Sequence, residues 1–133
     1  MSTKPETTFY TSVHKHLPPV KQFHREKMSN PYTSGTADFW YSGKKADLWV
    51  EYKFIVLPKR EDTLIIPDLS HLQLEWLDSR YDEGRNVAVI VGCKEGGVIY
   101  REGFWDKSYI TEVFKSLLLS RKTIAEFILN LCT

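Results

Sequence analysis

The sequence predicts an α/β fold: a mixed β-sheet flanked by helices and closed by a C-terminal helical tail. Three observations predict it. Two strand-like runs, Asp38–Ser42 and Asp47–Val56, are joined through Gly43-Lys44-Lys45 as a hairpin. A helical pattern follows from Ser70 to Glu83. Then Asn86–Gly92 (NVAVIVG) is nearly continuous in apolar residues, the mark of a strand buried on both faces. A hairpin, a helix and a buried strand in that order imply a mixed sheet with helices on its faces. The 133 residues suit one domain, read as 1–133 with a core of about 6–106 and a tail of about 107–131.

The elements are justified in turn. Phe9, Val13 and Leu17 recur every fourth residue and predict a helix over Glu6–Leu17, opened by Pro5 and stopped by Pro18-Pro19. Val20–Arg25 reads as a strand, and Ser29–Gly35 as a turn-rich loop. In the second hairpin strand, Leu48, Val50, Tyr52 and Phe54 share one face and are expected in the core. Trp49, Glu51, Lys53 and Ile55 share the other. A polar loop runs to Leu69. The helix opened by Ser70 carries Leu72, Trp76, Leu77 and Tyr81 as its stripe and ends at Gly84. Gly96-Gly97 turns into a short edge strand, Val98–Tyr100. Helices are expected over Lys107–Leu119 and Thr123–Leu131, the latter with Thr123 and Glu126 as a capping box. Trp40, Trp49, Trp76 and Trp105 fall in apolar patterns and are expected in the core.

Composition excludes several classes. With 42% hydrophobic and 26% charged residues, the chain is an ordinary globular protein and not a disordered tail, fibre or coiled-coil rod. No apolar run reaches the length of a membrane span, and MSTKPETTFY has no apolar core for a signal peptide. Cys93 and Cys132 match no metal or redox spacing, so reduced thiols and a cytoplasmic location are expected. Net charge is +1, but residues 1–45 carry +4, 46–106 carry −5 and 107–133 carry +2. The densest basic stretch is His14–Lys27. Its Lys15, Lys21, Arg25 and Lys27 are candidate phosphate contacts, with a solvated face as the equal alternative. His14 and His16 diverge on a helix, and with His24 they read as exposed polar residues rather than a zinc site.

The residues that carry chemistry form one constellation. Gly35-Thr36-Ala37-Asp38 is followed, after twelve residues, by Glu51-Tyr52-Lys53. Asp38 opens one strand of the hairpin; Glu51 and Lys53 lie mid-strand on its partner. Two carboxylates on paired strands suit a hard divalent cation such as Mg²⁺, and the Tyr52 main-chain carbonyl is a further candidate oxygen. Lys53 shares a face with Glu51, where it can orient a water or stabilise phosphate charge. Alone, Glu-x-Lys is a common exposed pair; its setting between apolar Trp49 and Ile55 is not that of a solvated face. No glycine-rich phosphate loop precedes a helix, and no Ser/His/Asp or Cys/His set is recognisable.

Gly-Thr-Ala-Asp38…Glu51-Tyr-Lys53 resembles the motif of the PD-(D/E)xK nuclease superfamily, whose fold is restriction-endonuclease-like. Leu69-Ser70-His-Leu-Gln73-Leu-Glu-Trp76-Leu77, then Gly84 and Val87-Ala-Val-Ile-Val91, is similar to the virus-type replication–repair nuclease family (VRR-NUC). Glu6, ahead of Phe9-Tyr10, resembles that family's first-helix acid, and Glu26–Tyr32 with Ser34-Gly35 is like stand-alone bacteriophage members. The resemblance spans about residues 6–100. Ala37 departs from it, standing where the name-giving proline would be. The resemblance implies a single nuclease domain with Asp38 and Glu51 as metal ligands, Lys53 as catalytic lysine, Glu6 assisting at the metal and Gln73 pointing into the site. Gln73 also reads as the capping-box partner of Ser70, and Glu6 as a first-turn acid favoured by the helix dipole. It implies Mg²⁺ (with Mn²⁺ as substitute), branched DNA as substrate, four-way junctions first, and a homodimer in the cytoplasm of the host cell if phage-encoded. Flap or single-strand cleavage, or DNA binding without catalysis, are the alternatives.

Overall fold

The structure, a computed structural model, describes residues 4–28 and 35–133. Most of the predicted Ser29–Gly35 loop, and with it the Ser-Asn-Pro-Tyr end of the Glu26–Tyr32 resemblance and Ser34, lies outside the described residues. Helix α1 (Pro5–His14) opens with Pro at its first position. Strand β1 (His24–Lys27) pairs antiparallel with β2 (Phe39–Ser42), and β2 pairs antiparallel with β3 (Asp47–Phe54). Helix α2 (His71–Asp82) follows, and β5 (Val87–Cys93) returns parallel to β3 at the centre of the sheet. Between them β4 (Leu64–Ile65) is a two-residue strand that pairs with β7 (Tyr109–Ile110). Strand β6 (Gly96–Arg101) is antiparallel to β5, so the main sheet is mixed, in the order β1-β2-β3-β5-β6. Helices α3 (Thr111–Ser116) and α4 (Arg121–Cys132) complete the chain. The α/β class and the mixed sheet flanked by helices are as the sequence predicts.

Period two in the strands divides the interior into two cores. On one face, Leu48, Val50, Tyr52, Ala88 and Ile90 pack against Phe9 and Val13 of α1 and Ile124, Ala125 and Ile128 of α4. On the other, Val87, Val89, Val91 and Tyr100 pack with Leu77 of α2, Phe114 of α3 and Trp105. The C-terminal helix therefore covers the sheet, and its end is tied down: the Cys132 carbonyl accepts from the N–H groups of Lys45 and Ala46 in the hairpin turn. Gly92 lets α1 sit close, because a Cβ there would stand 2.6 Å from the Phe9 ring.

Several expectations shift. The α1 helix ends at His14, three residues early, although Leu17 is still buried. The first strand is His24–Lys27, not Val20–Arg25: Gln22 and Phe23 N–H groups bond the Pro19 carbonyl in a turn that uses up Val20. β3 ends at Phe54, and Val56 is exposed. Gly96 and Gly97 lie within β6 rather than in a turn before it. The predicted Lys107–Leu119 helix is cut to Thr111–Ser116, since Tyr109–Ile110 is taken by the small sheet. The cap of α4 is Ser120, whose side chain accepts from the Thr123 N–H, so Thr123 is not the capping residue. On α2 only Leu77 is buried; Leu72 and Tyr81 are exposed. Of the four tryptophans only Trp105 is fully buried, and its indole N–H donates to Asp78 at 2.9 Å. Trp40, Trp49 and Trp76 are half-buried and form a row, with Trp40 stacked on Trp49 at 5.7 Å and Trp76 edge-on to Trp49 at 5.8 Å.

Candidate active site

The hairpin brings the constellation together. In the β2–β3 register Phe39 stands opposite Val50, which sets Asp38 beside Glu51 at the mouth of the pair. The Asp38 carboxylate accepts the Tyr52 main-chain N–H at 2.9 Å. That bond fixes Asp38 against β3 and leaves its other oxygen available. Glu51 is only 3% exposed, and one of its two oxygens, Oε1, has no hydrogen-bond partner among the described residues. A buried carboxylate oxygen without a partner is costly and rare in folded proteins. The other oxygen, Oε2, accepts from the Gln73 side-chain amide at 3.2 Å and lies 3.9 Å from Lys53 Nζ.

Electrostatics follow from this crowding. Burial, then the adjacent Asp38 carboxylate, push the Glu51 pKa up to about 9, against the opposing pull of Lys53. Glu6, in the first turn of α1, is raised by burial and by Asp38, and held down in part by Lys53 and Lys27. Glu6, Asp38, Glu51, Lys53 and Lys27 thus share one electrostatic neighbourhood. Among the described residues no group of three or more His, Cys, Asp or Glu side chains is close enough to hold a metal ion unaided. A cation here would rest on Asp38 and Glu51, with further oxygens from main chain, water or substrate. The residues fit such an ion on one count above all: the partnerless Glu51 oxygen, beside a second carboxylate, is the kind of hard oxygen such an ion takes.

Gln73 occupies both of its anticipated roles. Its side-chain Oε1 accepts the Ser70 N–H at 2.9 Å and its main-chain N–H donates to the Ser70 hydroxyl at 3.1 Å, completing the capping box. Its Nε2 then points to Glu51. The cap therefore orients an amide whose far end holds the carboxylate. Gly35 makes this approach possible. It has φ +88°, and a Cβ on it would lie 2.4 Å from the Leu72 carbonyl, so the segment leading to Asp38 runs against the first turn of α2. Ala37, at the departure from the motif, is buried.

The basic candidates separate. Lys27 lies over the rings of Tyr10 and Phe39, at 5.4 and 5.7 Å, on the rim of the carboxylate cluster. Arg25 donates to the Pro18 carbonyl at 3.0 Å and ties β1 to the turn after α1. Lys15 and Lys21 are exposed; Lys15 is nine residues along the helix from Glu6, about 13 Å away. His14 corrects the reading of an exposed histidine. It is bonded to the Tyr41 hydroxyl at 2.7 Å, which meets the Tyr52 hydroxyl at 2.6 Å, and burial lowers its pKa to about 4. This His14–Tyr41–Tyr52 chain is not legible from the sequence, because its three members come from three elements.

No protein-family model matches the chain, and no curated protein matches it in sequence. Among solved structures the chain is similar to Hjc of Archaeoglobus fulgidus, a Holliday junction resolvase from an archaeal hyperthermophile. The TM-score is 0.55, with 15% identity, over 90% of this chain and 99% of that one. The fold is restriction-endonuclease-like. The match extends over nearly all of both chains. No helix among the described residues is long and apolar enough to cross a membrane.

Proposed function

We propose that this protein is a divalent-metal-dependent DNA endonuclease that cuts branched DNA, four-way junctions first. The observation that carries the reading is the buried, half-satisfied Glu51 beside Asp38 and Lys53, on a fold like that of a junction resolvase. Asp38 and Glu51 would hold Mg²⁺, or Mn²⁺ in its place, with the Tyr52 carbonyl as a further oxygen. Such an ion supplies Lewis-acid polarisation of the phosphate and a more acidic bound water.

The chain's own groups do the rest. Lys53 Nζ, held next to Glu51, orients a water for in-line attack and neutralises charge on the phosphate. Gln73 fixes the Glu51 carboxylate through its capped amide. Glu6 adds negative charge behind Asp38, and Lys27 meets a phosphate at the rim. Lys15 and Lys21 extend the basic surface along the duplex, while Arg25 serves the fold. Resolving a junction takes two cuts on opposed strands, which a two-fold homodimer supplies. The finer placement among stand-alone phage-type VRR-NUC enzymes, and action in the host cytoplasm, rest on the motif resemblance.

The test is cleavage of a four-way junction, a flap, a linear duplex and a single strand of shared sequence, with Mg²⁺ and with Mn²⁺. Paired symmetric cuts in the junction are expected, with Lys53→Ala slower by about 10²-fold or more. Mutant-sensitive cutting of flaps or single strands alone keeps the site and replaces the substrate. No mutant-sensitive cleavage of any DNA overturns the enzymatic reading.

A further inference from the structure

A second cluster lies at the far edge of the sheet, where β6 ends, and none of the groups above belongs to it. A cavity of about 380 Å³ is lined by Tyr100, Arg101, Phe104, Lys107, Tyr109 and Phe127. Its composition is unusual for a surface dent: four aromatic rings and two cations. The Arg101 guanidinium lies 5.1 Å over the Phe127 ring. Lys107 Nζ lies 5.9 Å from the Phe104 ring and 5.6 Å from that of Tyr109. The rings hold both cations in place, and among the described residues neither cation forms a salt bridge. Their charge is left for a ligand. Glu102, exposed at the turn, is the one carboxylate of the lining.

Two further features point to an occupant. Tyr100 is 2% exposed, yet its hydroxyl has no partner among the described residues, and neither has the buried Arg101 Nε. Burial, and then Tyr109, raise the Tyr100 pKa, so the phenol keeps its proton and can donate. Phe104, by contrast, is 59% exposed with no apolar cover. It is presented by a tight turn in which Glu102 and Gly103 both have positive φ, 57° and 84°, and the Phe104 N–H bonds the Arg101 carbonyl.

We propose that this cavity binds a single nucleotide unit, an aromatic base carried on a phosphate. The base stacks on Phe104 and Tyr109, the phosphate is met by Arg101 and Lys107, and the Tyr100 hydroxyl gains its missing partner from the base or sugar. An exposed ring, with further rings and two cations beside it, suits a π-faced anion better than an acidic peptide. The volume suits one nucleotide and not a duplex. The nucleotide comes either from solution or from an unpaired position in a DNA strand. The proposal does not depend on the cleavage reading.

The test omits divalent ions, so that no cleavage enters. The probes are 2-aminopurine deoxyribonucleoside 5′-monophosphate and a short single strand with one 2-aminopurine, whose fluorescence falls on stacking. Quenching is expected in the wild-type protein. Phe104→Ala is expected to weaken binding about tenfold, the loss of one base-stacking contact. Lys107→Ala is expected to weaken it several-fold and to flatten its salt dependence. Both side chains are exposed, and an unchanged melting temperature checks that the variants fold. Quenching of the strand alone identifies a nucleic-acid strand as the source; quenching of both probes identifies free nucleotide as a ligand as well. Absence of quenching, or equal quenching in Phe104→Ala, overturns the proposal. A sedimentation shift toward monomer in Phe104→Ala without altered probe binding also overturns it, and assigns the rings to a second copy of the chain.

Discussion

Glu51 and Tyr52 are neighbours on β3, buried on opposite faces of the same sheet, and the chain treats them in opposite ways. Tyr52 is fully buried, and its hydroxyl is paired with Tyr41, which is paired in turn with His14. That polar chain is complete within the protein. Glu51 is almost as deeply buried but keeps one oxygen without a partner and faces a second carboxylate. A polar group needed only for the fold is given partners, because a bare one costs about 1–3 kcal/mol. A group that awaits an external ligand is left open, and the fold carries the cost. The Tyr52 side of β3, packed under the body of α1 and α4, is therefore read as structure, and the Glu51 side, with Glu6 at the start of α1 in its electrostatic neighbourhood, as the site.

The largest effect that sharpens this contrast is in pH dependence. The Glu51 pKa rises from 4.5 to about 9 on folding, so between those values the native state holds a proton that the unfolded state has lost. Stability of the metal-free protein should fall as pH rises across that window. His14 acts in the opposite sense. Its pKa drops from 6.5 to about 4, so the unfolded state binds the extra proton and stability should rise with pH across that range. Melting temperature against pH should thus form a dome. Glu51→Gln should flatten the alkaline limb, with a melting temperature at pH 8 higher by about 5 °C, and should lose cleavage.

Next in size is Tyr41→Phe. It strands the Tyr52 hydroxyl and the His14 ring, and should lower unfolding free energy by about 1–3 kcal/mol in denaturant titration. Divalent-ion binding and cleavage should be unchanged; a loss of either would break the division between the two faces. Smallest is Ser70→Ala, which should cost about 1 kcal/mol of stability by removing the α2 cap. Gln73→Ala should match that stability loss and also slow cleavage about tenfold, because Gln73, unlike Ser70, reaches Glu51.

Much of this was legible in the sequence, for physical reasons that differ by residue. The hairpin, the buried β5 and the Ser70 cap are local patterns: alternation, an apolar run, and a hydroxyl three residues before an amide. Asp38, Glu51 and Lys53 could be grouped because a hairpin turns sequence spacing into register. The dual role of Gln73 needed the approach of α2 to Gly35, which no spacing encodes. β1 was misplaced because Val20 suggests a strand while the Pro19 carbonyl makes a turn there. The first tail helix is shorter than its sequence pattern because Tyr109 and Ile110 pair with Leu64 and Ile65, more than forty residues back. Apolar patterning alone does not separate the tryptophans, of which only Trp105 is completely covered.

The central claim is that Asp38 and Glu51 form a divalent-cation site. The direct measurement is thermal unfolding with and without Mg²⁺, Mn²⁺ or Ca²⁺, on the wild-type protein and on Asp38→Asn. Ion binding to the folded state alone should raise the melting temperature, by the equivalent of about 2.7 kcal/mol at a hundredfold excess over Kd. Asp38→Asn should abolish the rise. A wild-type protein whose melting temperature none of the three ions moves, or a rise that survives in Asp38→Asn, would contradict the account.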